Sequence, residues 1–370
     1  QIISVDTFGG FLTDDSARNK LKNIAAAGGG NYYEGDDYAS IREGLTQAIT
    51  TTITNPSTFT SPTVAVNSFN SLESSDELYF AVFEPNNKPA WKGNLKRYRM
   101  GDGAILDKLD TAAVDTETGF FKEDTISVWS TEADGPNVDL GGASSNFNLP
   151  RTVFTSVNVA ADGTLNKLEA ALPAASNIGV LNSSIGLVNS ATKSLLTQDL
   201  LGITDESSDY QDQLIAWMLG INSDSSTRTT MEDPLHSRPV VINYGKGDST
   251  LFIASNSGYL HAIDTNANNT SNITNVVSNE RFAFIPKELL KNPYAYFDST
   301  LSSLELKRYG LDGAITHWHE DINYDGIVNG DDRVILYVGM RRGGQSYYAL
   351  DITNRDAPKL LWQLNGNYID

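Results

Sequence analysis

The sequence predicts a mainly β protein, a partial propeller of repeated strand pairs with long insertions, preceded by a short α/β segment. Three observations predict it. Residues before Pro56 place apolar side chains at helical spacing between strand-like runs, whereas after Asn55-Pro56 the composition turns to Ser, Thr and Asn with short alternating strands. Residues 251–265, L-F-I-A-S-N-S-G-Y-L-H-A-I-D-T, and 336–353, L-Y-V-G-M-R-R-G-G-Q-S-Y-Y-A-L-D-I-T, share one design: an apolar strand, a glycine turn, an aromatic-rich strand and a closing Asp. Repeating strand pairs of this kind are what propeller blades supply, each burying its faces against its neighbours.

The first segment, 1–55, reads as strand, helix, strand, helix: I-I-S-V-D-T-F-G, then 16–27, G-G-G-N-Y-Y, and 38–51. Leu21, Ile24 and Ala25, then Ile41, Leu45, Ala48 and Ile49, fall on helical faces. Gly28, Gly29 and Gly30 stop the first helix. A triple glycine could cradle phosphate, but no Walker lysine follows it. The second segment, 56–370, carries strands expected at 63–69, 78–84, 94–100, 239–244, 251–255, 259–264 and 334–339. Helices are expected at 211–219, with Leu214, Ile215, Met218 and Leu219 on one face, and briefly at 286–291. The two repeats lie further apart than one blade, and insertions such as 160–207 account for the excess, since long surface loops cost little.

The sharpest chemical signal is D-I-N-Y-D-G-I-V-N-G-D-D, residues 321–332. Asp321, Asn323 and Asp325 take the first, third and fifth ligand places of a calcium loop, and Gly326 stands where the backbone must turn. Ile327 offers its carbonyl, Asn329 a ligand or a held water, and Asp332 the closing carboxylate. Calcium is the cofactor this pattern calls for, because it takes six to eight oxygens at about 2.3–2.6 Å. The flanks are β rather than the helices of an EF-hand: R-V-I-L-Y-V-G follows, and Thr316, Trp318 and Glu320 alternate with His317 and His319 before it. The ion would pin a loop between strands.

A net charge of −19 argues against nucleic acid and anionic membrane surfaces as partners, since both would be repelled. With no cysteine, disulfides, thiolate chemistry and Cys-ligated zinc are excluded, while the compartment stays open. No apolar run approaches the ~20 residues of a membrane span. The chain opens at Gln1 directly in a strand-like run and stops just after another, and it is read as a fragment of something longer.

Other candidates weigh less. His317 and His319 could hold zinc from one strand face, but no third ligand can be placed, so they are expected to be exposed strand histidines. His236, beside Asp233 and Ser237 in one tight turn, cannot form a triad with them and is expected to pack or hydrogen-bond. Lys246-Gly247-Asp248 resembles an integrin-type tripeptide in a turn, and Arg341-Arg342 reads as a solvated turn. No catalytic residue and no enzymatic activity is expected.

Several local patterns resemble one family, the type IV pilus tip-associated adhesins called PilY. They are W-K-G-N-L-K-R-Y (91–98), D-P-L-H-S-R-P-V-V (233–241), S-G-Y-L-H-A-I-D (257–264), F-A-F-I-P-K-E-L-L (282–290), R-Y-G-L-D-G (308–313) and Y-Y-A-L-D-I-T (347–353). The run from A-A-A-G-G-G to I-R-E-G-L resembles the end of a von Willebrand factor A domain, without that family's Asp-x-Ser-x-Ser metal loop. The resemblance implies a modified β-propeller in 56–370, with its calcium loop at 321–332; Asn329 departs from the Asp often found there, a charge that Asp331 or Asp332 could restore. It also implies an extracellular pilus-tip protein, exported through the periplasm, that meets minor pilins and the tip complex and contacts a host or abiotic surface. There it would support pilus assembly, attachment and twitching motility. A quinoprotein-like propeller enzyme is the alternative, weakened because its usual adjacent cysteines are missing; a generic secreted binding propeller is another.

Overall fold

The computed structural model describes residues 5–44 apart from positions 11, 13, 36 and 38, together with 59–63, 77–169, 188–222, 228, 231–268, 270–298, 300–301 and 304–366. Backbone contacts divide the chain into two compact units, Gln1–Ser57 with Asp115–Phe120, and Thr58–Val114 with Phe121–Asp370.

In the first unit Val5–Gly10 (β1) and Gly29–Gly35 (β2) pair in parallel. Parallel neighbours need a crossover, and Asp15–Ala27 (α1) supplies it. The Asp14 carboxylate starts that helix by accepting from the Ser16 N–H at 2.8 Å, and the Gly28 N–H ends it by donating to the Ile24 carbonyl at 2.9 Å. A second helix, α2, is described at 39–44; the rest of the expected 38–51 helix, and the expected strand before Val5, lie outside the described residues.

Among the described residues the second unit is mainly β, with three sheets and a few short helices. Phe59–Thr63 (β3), Glu77–Glu84 (β4), Lys92–Gly101 (β5) and Ala104–Leu106 (β6) run as an antiparallel meander, with Met231–Glu232 (β9) added on β5. The strand expected at 63–69 is observed only as β3, ending at Thr63; 64–69 lie outside the described residues. Val240–Gly245 (β10), Asp248–Ala254 (β11), Leu260–Asp264 (β12) and Asn279–Ile285 (β13) form a second antiparallel meander. Val153–Thr155 (β7) and Asn166–Leu168 (β8) extend it, β7 lying parallel to β13. Ile315–Glu320 (β14), Arg333–Gly339 (β15), Tyr347–Asp351 (β16) and Lys359–Leu364 (β17) form the third. The two repeats thus fall on equivalent strands, β11–β12 and β15–β16, the second and third of their meanders.

Between β8 and β9 lie Ser190–Leu195 (α3), Gln198–Leu201 (α4) and Ser208–Met218 (α5). Helix α5 begins three residues before the expected 211, because the Ser207 hydroxyl caps it by accepting from the Tyr210 N–H at 3.1 Å. The helix expected at 286–291 is only a 3-10 turn, Lys287–Leu289, and Asn292–Phe297 (α6) follows it. Pro293 in the first turn of α6 is tolerated there because its missing N–H would have no helical partner. Among the described residues no helix is long and apolar enough to cross a membrane.

The middle sheet is buried on both faces. Leu251, Ile253 and Ile263 belong to one core cluster with Tyr79, Ala81, Leu95 and Trp129. Phe252, Ala254, Leu260, Ala262, Phe282 and Phe284 belong to another with Leu336, Val338, Tyr348 and Leu350. Strands covered on both sides read as continuous apolar runs, which explains L-F-I-A in β11. The third sheet packs one face into the second cluster, while Trp318 and Trp362 stay 43% and 40% exposed.

Candidate metal centre

The acidic loop joins β14 to β15, whose register runs from Ile315↔Val338 to Glu320↔Arg333. Both flanks are strands, which suits T-H-W-H-E and R-V-I-L-Y-V-G: β-branched and aromatic side chains fit a pleated, half-buried surface. Inside the loop the chain passes three times through left-handed backbone, at Tyr324 (φ 60°), Gly326 (φ 73°) and Gly330 (φ 57°), and the glycines adopt it without the Cβ penalty. Val328 anchors the second half. Its side chain joins the main core and its N–H donates to the Asn243 carbonyl of β10 at 2.8 Å. Val328→Ala removes two buried carbons and should cost about 1.5 kcal/mol; an unchanged urea midpoint would mean that the loop is not held through this residue.

This path brings carboxylate oxygens of Asp321, Asp325 and Asp332 within 4.8 Å of one another. Backbone N–H groups organise all three. Asp321 accepts from Gly326 at 2.8 Å and from Asp325 at 3.2 Å. Asp325 accepts from Ile327 at 2.8 Å. Asp332 accepts from Ile322 at 2.9 Å and from Asn329 at 3.0 Å. The side-chain amides of Asn323 and Asn329 donate to Asp325 at 3.0 and 2.9 Å, and Asn329 reaches the Ile327 carbonyl at 3.3 Å. The Ile327 N–H and the two amides hold the Asp325 carboxyl below the usual carboxylate range, and the Ile322 and Asn329 N–H groups do the same for Asp332. All the sequence-selected positions therefore gather around one small volume. Asp332 is buried and joins this cluster, whereas its neighbour Asp331 is exposed. Carboxylate, carboxamide and carbonyl oxygens are hard donors, the set that fits calcium and that soft-metal sites lack.

The histidines correct an expectation. His317 and His319 share the inward face of β14, and the His319 side chain is only 2% exposed, its Nε2 3.8 Å from an Asp332 oxygen. Register decides this: the period of two turns Trp318 outward and both histidines inward. Burial, reinforced by neighbouring His319, lowers the His317 pKa. His236 makes hydrogen bonds as expected, its Nδ1 lying 2.8–2.9 Å from the Asp312 carboxylate. Asp233 instead receives Lys307 at 2.8 Å and Asn256 at 2.6 Å. In the Lys246-Gly247-Asp248 turn the Asp248 carboxylate is paired with Arg355. Arg342 lies over the Tyr309 ring, 5.0 Å from its centroid.

One constellation escaped the sequence reading. The Ser255 hydroxyl lies 3.0 Å from His261 Nε2, and His261 Nδ1 lies 2.7 Å from Glu280 Oε1. That is the connectivity of a nucleophile, base and orienting acid. Yet these residues are 1%, 0% and 4% exposed, and Glu280 also holds Arg151 through two hydrogen bonds of 2.6 and 2.8 Å. Ser257 continues the chain to Glu232, which is paired with Arg228. The arrangement ties β11, β12 and β13 together within the core. Only the pairing of β12 with β13 brings Glu280 beside His261, so no motif could have revealed it.

Fold and loop together define a mainly β protein of several sheets with an oxygen-donor loop between two strands. Over 117 residues the chain is 26% identical to the type IV pilus biogenesis factor PilY1 of Pseudomonas aeruginosa, in strains PAO1 and PAK alike. The match takes in 31% of this chain and only 8% of those much longer proteins, a distant PilY-like relationship. No family model matches the chain, and no solved structure matches it.

Proposed function

We propose that the chain is part of a calcium-binding, non-enzymatic adhesin and assembly factor of the PilY kind, acting at the tip of a type IV pilus outside the cell. One observation carries the reading: the convergence of Asp321, Asp325 and Asp332 in a loop whose alternate residues are oxygen donors. Asn323, Asn329 and the Ile327 carbonyl complete the ligand set. The distant similarity to a type IV pilus biogenesis factor supports the pilus role, and with it partners among minor pilins and a host or abiotic surface. Three four-stranded meanders, the middle one buried against both others, support a propeller-type arrangement in which each meander is a blade. The βαβ unit ahead of them suits the end of a von Willebrand factor A-like domain. Burial of the Ser255–His261–Glu280 chain and its commitment to Arg151 support a non-enzymatic reading.

Calorimetric titration tests the metal. The folded protein should take up one calcium ion, and magnesium, which demands a rigid octahedron and dehydrates reluctantly, should bind far more weakly. Folded protein that takes up no calcium would overturn the proposal.

A further inference from the structure

A second site lies away from the acidic loop, where β7, β8 and β13 meet the turn between β16 and β17. There a cavity of about 410 Å³ is lined by Phe154, Lys167, Arg281, Asp356, Pro358 and Lys359 among others. That volume suits one small ring. In a chain of net charge −19, gathering Lys167, Arg281, Arg355 and Lys359 around one cavity creates a local place for an anion. The four differ in availability. Arg281 is engaged with Asp264 and Asp356, Arg355 with Asp248 and Asp264, and Lys359 lies 3.0 Å from the exposed Asp162 carboxylate. Lys167 is exposed and has no ion-pair partner among the described residues. It stands opposite Phe154 in the β7–β8 register, so a charge and a flat apolar surface share one wall. The site is held in shape by backbone: Thr164 bridges to Lys359, and the Leu360 N–H donates to the Gly163 carbonyl at 2.9 Å.

We infer that this cavity binds one ring of an acidic saccharide. Lys167 and Lys359 take its carboxylate, the half-buried Phe154 ring packs against the apolar face of the sugar, and the Asp356 carboxylate accepts from its hydroxyls. Asp356 also distinguishes the ligand class, because a sugar acid offers this acceptor hydroxyl donors that a phosphate dianion lacks. The inference does not depend on the calcium loop.

Saturation-transfer NMR with sodium glucuronate and the full chain is the test. Saturable binding is expected with a Kd on the order of 1 mM for so small a ligand. The Lys167→Ala, Lys359→Ala double variant should weaken it at least about tenfold by removing charge-assisted hydrogen bonds, with an unchanged Tm because both lysines are substantially exposed. Asp325→Ala should bind glucuronate like the wild type, which separates this site from the loop. Absence of saturable glucuronate binding, or undiminished binding by the double variant, would overturn the inference. Equally effective displacement of glucuronate by inorganic phosphate or by uncharged glucose would overturn the saccharide acid as the ligand class.

Discussion

Arg151→Met should lower the stability of the second unit by about 3–5 kcal/mol, the cost of leaving a buried charge without its partner. Arg151 and Glu280 are 3% and 4% exposed, and the pair is bidentate, with the guanidinium also 4.9 Å over the Tyr259 ring. Methionine fills much of the volume but offers no donor, so Glu280 keeps only His261 in a place that water does not reach. Replacing Glu280 by methionine as well should recover part of the loss, since an apolar pair avoids the desolvation of both charges. Acid gives an independent readout. Burial alone would push the Glu280 carboxyl up, but Arg151, by charge and hydrogen bonds, and His261 outweigh it and bring it to about 2. An unfolded glutamate titrates near 4.3. The folded value is therefore the lower one, so this contribution is complete above about pH 4.5 and is lost as the pH falls toward 2. Urea unfolding from pH 6 down to pH 2 should show the wild type losing stability across that window and Arg151→Met losing less of it. Equal stability of the two proteins at pH 6 would contradict the role assigned to the pair.

Much of the strand order was legible because burial leaves a compositional mark. L-F-I-A in β11 and V-I-L-Y-V in β15 are apolar without interruption, and the glycine turn and closing Asp after each mark where the next strand starts and stops. The loop was legible for a different reason: its ligands are local, so spacing alone carries the geometry. What stayed hidden depends on partners distant in sequence. T-H-W-H-E is compatible with either face inward, and only the seating of β14 on the core decides that His319 lies against Asp332 while Trp318 faces outward. Helix α6 was missed because six residues, N-P-Y-A-Y-F, are too few to display a helical period. The hydrogen-bond chain from Ser255 to Glu280 joins three strands and has no linear signature at all.

Asp325→Ala should abolish the response to calcium while leaving the fold in place. In the wild type, metal that binds the folded loop and not the unfolded chain stabilises by RT ln(1 + [L]/Kd), about 2.7 kcal/mol when calcium is at 100 times Kd. Part of that energy reaches the whole second unit, because Val328 fastens the loop to the core and, through Asn243, to β10. Asp325 is central to the donor set: it accepts from the Ile327 N–H and from the amides of Asn323 and Asn329, and its oxygens lie near those of both other carboxylates. Its removal leaves two carboxylates and two amides with no common acceptor, too little charge and too little order for a cation that needs six to eight oxygens. Without calcium the substitution should cost little, since the side chain is exposed and its loss relieves crowding between like charges. Thermal melts with millimolar calcium, millimolar magnesium or chelator should therefore separate the proteins, the wild-type Tm rising with calcium and far less with magnesium, and the Asp325→Ala Tm staying at the chelated value throughout. A variant that melts with the wild-type calcium shift would place the ion somewhere other than this loop.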